Sequence, residues 1–218
     1  MSKKILTVAI LLVGLVATTG CLDDFKEKKK IEKKLLAGTP NEQFYEHSQE
    51  YFEEGNYSEA LKYDIKQLEE DLRYYHEGSA EIALDYNNIA LDYDKLKEYN
   101  KSIAYYKKVI KIDDIVLDRD NPERATTYYN LASSYDSLHI YDKALTFYLK
   151  SLKIDTESES RLLTYQDVAK IYEHQKSYKQ ALYYYQKALI IYKKSTKQEK
   201  AMGANIKESI NKLNKKIK

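Results

Sequence analysis

The feature that leaves this 218-residue chain least freedom is a repeat. Four segments align without gaps: HSQEYFEEGNYSEAL, IALDYDKLKEYNKSI, LASSYDSLHIYDKAL and VAKIYEHQKSYKQAL, beginning at His47, Ile89, Leu131 and Val168. Four columns carry the register. A small residue stands at Ser48, Ala90, Ala132 and Ala169; a tyrosine follows at Tyr51, Tyr93, Tyr135 and Tyr172. A second tyrosine recurs at Tyr57, Tyr99, Tyr141 and Tyr178, and a last small residue at Ala60, Ser102, Ala144 and Ala181. Every column steps by 42, 42 and 37 residues. A unit of this size cannot bury its own apolar face and must stack on its neighbours.

The columns read as a helical hairpin. A small residue and a tyrosine three positions later share one helix face, so the small side chain admits a neighbouring helix and the ring fills the space beside it. Pairs such as Gly55-Asn56 or Glu98-Tyr99 are expected to turn the chain back, and the final small column marks close contact on the returning helix. Tyr106, Tyr148 and Tyr185, each four residues further on, extend that face. With 23 Tyr and no Trp, these stripes are core packing and not a platform for bases or cofactors. Six Gly and two Pro are too few for the turns of a many-stranded sheet.

This arrangement, an aromatic, a large apolar residue, a small residue and Tyr, then Ala and an aromatic on the second helix, resembles the tetratricopeptide repeat. The 42-residue spacing, with Tyr-Asn-Asn-Ile-Ala at 86–90 and Thr-Thr-Tyr-Tyr-Asn-Leu-Ala at 126–132, is similar to the kinesin-light-chain subtype in repeat architecture. The resemblance implies an all-α solenoid, a right-handed superhelix of about four hairpins. Its units span about 41–78, 79–120, 121–157 and 158–196, with loops near 76–79, 118–122 and 156–160. The first copy departs most, with His47 at the large-apolar place and Asp64 where the second-helix aromatic belongs. Over 197–218, Met202, Ile206, Ile210 and Leu213 form an amphipathic stripe, read as a capping helix over the end of the stack.

The first 20 residues read as an export signal: Lys3 and Lys4, an apolar run from Ile5 to Val16, then small residues up to Cys21. A helix from Ile5 to Gly20 reaches about 24 Å, short of a bilayer core of about 30 Å. Cys21, the single cysteine, follows directly and resembles the bacterial lipobox, with Thr18 where that family usually has Leu. The resemblance implies cleavage before Cys21 and its lipidation, which anchors the chain in a bacterial cell envelope. The site is the periplasmic face of the outer membrane in a two-membrane cell, and the outer face of the cell membrane otherwise. Residues 21–40 are a basic tether or short helix.

Charge and motif content narrow the chemistry. Residues 41–192 carry 28 acids against 19 bases, whereas 193–218 carry nine lysines against Glu199 and Glu208. An acidic body is a poor general nucleic-acid binder, so no nucleic-acid partner is expected. The four histidines are scattered, and no metal-binding, redox or glycine-rich phosphate motif occurs. Neither enzyme activity nor a metal or cofactor is expected.

In the resembling family the first helix of each repeat lines a groove for a peptide or partner helix. Carried over, the groove residues are Glu46, Asn88, Asn130 and Asp167 before the small column, and Gln49, Leu91, Ser133 and Lys170 after it. Phe52, Asp94, Asp136 and Glu173 come next, then Glu53, Lys95, Ser137 and His174. An asparagine amide can both donate to and accept from a peptide backbone, so Asn88 and Asn130 could grip successive stretches of one ligand; equally they could bond neighbouring helices or water. The acids favour a neutral to basic partner. The expected function is an envelope scaffold that binds other proteins; a peptide-responsive sensor is the alternative.

Overall fold

The structure, a computed structural model, describes residues 43–156, 158–194 and 200–217, all within a compact unit spanning 42–218. The signal, Cys21 and the tether lie outside the described residues. Every described element is helical: α1 Gln43–Glu53, α2 Tyr57–Asp71, α3 Ala80–Lys95, α4 Tyr99–Val116, α5 Pro122–Ser137, α6 Tyr141–Ile154, α7 Ser158–His174, α8 Tyr178–Lys194 and α9 Lys200–Ile217. Each odd helix from α1 to α7 pairs with the next to make a hairpin, successive hairpins stack, and α9 packs on α8. The described residues thus form an all-α solenoid of four hairpins with a ninth helix packed on the last.

The repeat columns close the hairpins as their chemistry requires. Ala60, Ala90, Ala132, Ala144, Ala169 and Ala181 are wholly enclosed, so helices approach there at backbone distance, and Ile89, Leu131 and Val168 are enclosed beside them. The first tyrosine column stacks on an aromatic of the returning helix. Tyr51 meets Tyr63 at 5.5 Å, Tyr93 meets Tyr105 at 5.7 Å, Tyr135 meets Phe147 at 5.8 Å and Tyr172 meets Tyr184 at 5.5 Å. That second ring is packed again by Phe44, Tyr86, Tyr128 or Tyr165, at 5.8–6.4 Å. Each hairpin therefore holds a three-ring ladder, and each stacked pair adds about 0.5–1.5 kcal/mol beyond its area. Lys66, Lys108 and Lys150, three residues after the middle ring, lay their ammonium groups over it at 4.5, 4.6 and 5.1 Å.

The hairpin turns correct one sequence expectation. Glu98 and Tyr99 do not make the bend; they are the N-cap and first residue of α4. The left-handed residue is Lys97, at φ 61°, and it recurs as Gly55 (φ 78°), His139 (φ 59°) and Lys176 (φ 57°), again in steps of 42, 42 and 37. Only the first turn uses glycine, because in the others the following helix fixes the geometry and absorbs the strain. All four members of the second tyrosine column are the first residues of their helices.

At the second and third joints between hairpins, an arginine ties the helix end to the next helix start. Buried Arg124 donates to the Asp113 carbonyl at 2.7 Å and pairs with Asp114. Arg161 donates to the Leu152 carbonyl at 2.8 Å and to the Tyr165 hydroxyl at 2.8 Å. A guanidinium there meets the orphan carbonyls and the negative pole of the preceding helix. In the 118–122 loop, Asn121 caps α5 by accepting from the Glu123 amide at 2.8 Å, and Pro122 occupies the first turn. The loop thus serves as a helix start.

At the far end Ile206 and Leu213 of α9 are enclosed with Tyr185, Ala188 and Tyr192, and Met202 and Ile210 pack at the edge. The ring of Tyr192 crosses α9 at Gly203; a Cβ there would come within 2.3 Å of it. The near end is different. In α1 and α2 only Ala60 is a fully buried apolar side chain among the described residues, and Ser48, Asp64, Gln67 and Asp71 are the other enclosed groups.

Candidate functional site

The first helices of the hairpins are linked to one another as well as to their own partners. Ser134 of α5 donates to Asp94 of α3 at 2.9 Å, and the Tyr129 hydroxyl of α5 donates to Asp167 of α7 at 3.0 Å. Residues 84, 88, 91 and 95 recur along one face of α3 at helical spacing, and α5 and α7 repeat the face 42 and then 37 residues later. Three rows result across successive hairpins. Leu84, Thr126 and Leu163 form an apolar-to-neutral row; Leu84 is 54% exposed and Leu163 44%. Asn88, Asn130 and Asp167 form a half-buried polar row. Lys95, Ser137 and His174 form an exposed third.

The structure divides the sequence candidates by how much of their bonding capacity is already used. Asn88 is half-buried and its amide makes no hydrogen bond among the described residues, as does neither exposed Lys95 nor exposed Glu46. Leu91 lies against the central core with one side still open. The Asn130 side chain faces the enclosed hydroxyl of Tyr106 without closing a hydrogen bond to it. Asp94 is taken by Ser134. Asp167 accepts from Tyr129 and from Lys170, the latter at 2.9 Å, so Lys170 is also engaged. Glu173 accepts from the Tyr185 hydroxyl at 3.4 Å and lies 3.6 Å from Lys216 of α9. The terminal helix therefore reaches the groove side of the last hairpin.

The electrostatics of the groove are set by an acidic row, Asp94, Asp136 and Glu173, stepping along three hairpins. Burial holds the Asp136 carboxyl above its usual range, the neighbouring Asp167 charge adds to this, and His174, Lys170 and His139 oppose it. The buried phenols of Tyr129 and Tyr148 are pushed up mainly by burial, with Asp167 next. They remain neutral donors. Among the described residues no group of His, Cys, Asp or Glu is arranged to hold a metal ion.

Two clefts open beside the rows at equivalent places in successive repeats. One, about 340 Å³, is lined by Ala80, Leu84, Asn87, Val109, Val116 and Thr126. The other, about 290 Å³, is lined by Pro122, Ala125, Thr126, Tyr129, Ser151 and Thr164. Leu84, Asn87, Thr126, Tyr129 and Leu163 were not among the groove residues read from sequence. The signal was available: they repeat in the same 42 and 37 steps, three and six residues before the small column.

A family model for the tetratricopeptide repeat matches residues 81–157 and 123–194, together more than half of the chain. Among solved structures, the TPR-like repeats of a kinesin light chain from Podosopora anserina superpose with a TM-score of 0.68 at 16% identity, covering 79% of this chain and 84% of that one. BtubC (BKLC) from P. vanneervenii gives 0.67 at 17% identity, covering 88% and 77%. The Cut9-Hcn1 hetero-tetramer of APC/C gives 0.60 at 16% identity, covering 76% of this chain and 28% of that one. These likenesses establish the fold. No curated protein sequence matches the chain. Among the described residues, no helix is long and apolar enough to cross a membrane.

Proposed function

The chain belongs to the tetratricopeptide-repeat family, and on that premise we propose that it is a lipid-anchored envelope adaptor whose first-helix groove holds a segment of another protein. The fold is that of a protein-interaction scaffold. The observation that carries the groove assignment is the unspent row on α3: Leu84 exposed, the Asn88 amide without a partner among the described residues, and Lys95 free at the surface. Apolar, amide and cationic groups spaced one and then two turns apart offer an extended segment a side-chain contact, a backbone grip and a carbonyl or carboxylate partner. Over α5 and α7 the acidic row takes over, which favours a neutral to basic segment there.

The anchor reading rests on sequence. Lys3 and Lys4, the apolar run and Cys21 fit a lipoprotein signal, and several acyl chains at about 0.8 kcal/mol per buried methylene would hold the chain on a membrane durably. Labelled palmitate fed to expressing cells should appear on the native chain and not on a Cys21→Ala variant, which should leave the membrane fraction. Groove and anchor are tested together by a crosslinked pull-down from membranes. A defined protein captured by the native chain should be lost from the folded Asn88→Ala, Asn130→Ala double variant. Equal capture by both would remove the groove from the account.

A further inference from the structure

Away from the groove, one joint of the stack is built unlike the others. The enclosed positions between the second and third hairpins are Tyr106, Asp113, Thr127 and Ser134, where Thr127 donates to Asp113 at 3.3 Å. Their equivalents 42 residues earlier, between the first and second hairpins, are Asp64, Asp71, Asp85 and Asp92. All four are aspartates, at 3%, 6%, 4% and 0% exposure.

Asp64 and Asp71 lie two turns apart on one face of α2, as do Asp85 and Asp92 on α3. The antiparallel contact sets Asp64 against Asp92 and Asp71 against Asp85. No ion pair reaches any of them among the described residues. Both oxygens of Asp92, one of Asp71 and one of Asp85 are enclosed without a hydrogen-bond partner. The Ser48 hydroxyl of α1 is 1% exposed, faces Asp64 and is likewise unpartnered. The other titratable groups facing this joint are Tyr106 of α4, near Asp92, and Tyr86 of α3, near Asp85 with Glu77 beyond it. None supplies positive charge.

Four bare carboxylates cannot be enclosed together without cations, because desolvation and mutual repulsion both act against them. One proton in each facing pair resolves this: the protonated carboxyl becomes a donor and the orphaned oxygen opposite becomes its acceptor. We propose that the first hairpin is held to the stack by a proton latch, one proton shared by Asp64 and Asp92 and one by Asp71 and Asp85, and that losing these protons releases α1 and α2.

The supporting chemistry runs in one direction. Burial, then the charge and bonding of Asp71 and the charge of Asp64, pushes Asp85 up to about 8; burial, then Asp64, does the same for Asp92. Burial raises Asp64 too, opposed by the facing Ser48 hydroxyl and Asp92 carboxyl. The apolar contact beside the pairs is thin on the α2 side: Leu68 packs, partly buried, against the cluster of Ile82, Ala83 and Tyr86, and Ala60 is the one fully buried apolar side chain of α1 and α2 among the described residues. Once the joint opens, Asp85 and Asp92 return to about 3.9. A folded value above the released value means that the latch is complete below about pH 4. It weakens steadily to about pH 8, by up to tenfold per pH unit for each proton held. Glu46 and Phe52 ride on α1, so pH would set how many hairpins the groove spans.

Hydrogen exchange by mass spectrometry on the full chain, from pH 5 to pH 8.5 and corrected for intrinsic amide rates, tests this. Protection of peptides from α1 and α2 should fall as pH rises from 5 towards 8, by up to tenfold per pH unit for each proton held, while peptides from α5 and α6 hold theirs. Asp85→Asn with Asp92→Asn should abolish the slope, and so should Asp85→Thr with Asp92→Ser, which installs the residues of the next joint. A flat profile in the native chain overturns the latch regardless of how the variants fold. So does an unchanged slope in both variants, or loss of protection at pH 5 on adding a chelator, which would show cations bridging the pairs.

Discussion

At the scale of single residues, the four turns amount to an internal experiment. Gly55-Asn56 supplies a left-handed glycine and an N-cap whose side chain accepts from the Glu59 amide at 3.4 Å. Lys97 takes the glycine's place in the second turn at φ 61°, and Ile140 takes the cap's place in the third, at φ −86° and ψ 65° against −86° and 64° for Asn56. Lys97→Gly should relieve left-handed strain and stabilise by about 0.5–1 kcal/mol net of glycine's entropy. Ile140→Asn should add a cap of about 0.5–1 kcal/mol and remove an apolar side chain that is 38% exposed. Urea unfolding checks both: each midpoint should rise with an unchanged m-value, and a fall in either would mean that the turn is shaped by contacts of the native side chain.

At the scale of elements, the joints and the terminal helix carry separable contributions. Arg161 bonds helix-end carbonyls from a partly buried position, so Arg161→Met should cost about 1.5–3 kcal/mol and loosen the third hairpin from the fourth. For α9, Leu213 is fully enclosed and Gly203 lies under the Tyr192 ring. Leu213→Asp should undock α9 and uncover the face formed by Tyr185, Ala188 and Tyr192, which increased dye binding and faster exchange over α8 would report. Gly203→Val should do the same through steric conflict alone. If α8 stays protected in both, α9 is not what closes the stack.

The elements also show how far the sequence could be read. The hairpins, their order and the terminal stripe were legible because small residues and tyrosines recur in strict steps, a pattern with one stable packing solution. The bend was misplaced by one position at Glu98-Tyr99, since lysine at Lys97 gives no compositional sign of a left-handed backbone. The ring at 63, 105, 147 and 184 went unread because Phe147 breaks the tyrosine column and attention fell on the neighbouring column ending in Tyr185. In sequence Asp64 marks only the departure of the first copy from the pattern; its role depends on Asp92, which lies opposite it on another repeat. Within the groove, Asn88 and Asn130 looked equivalent in sequence, and the structure separates them through the Tyr106 hydroxyl that Asn130 faces.

At the scale of the whole molecule, the hairpins stack as a quasi-one-dimensional array, so stability is expected to vary along it. The second to fourth hairpins share continuous aromatic and aliphatic cores, whereas the first meets its neighbour through four aspartates and a partly buried apolar contact at Leu68. The first-helix face is the surface that runs through consecutive units at constant register, which suits it to a long segment rather than a compact ligand.

The most direct test of the groove assignment places a photocrosslinking amino acid in the full chain, in cells, at one position at a time. Leu84, Leu91 and Lys95 sample the first-helix face, and the exposed residues Leu149, Lys150 and Lys187 sample the second helices. The account predicts crosslinks to one defined protein from the first set and none from the second. Crosslinks to the same protein from Leu149, Lys150 or Lys187, with Leu84, Leu91 and Lys95 silent, would contradict it and move the binding surface to the opposite side of the stack.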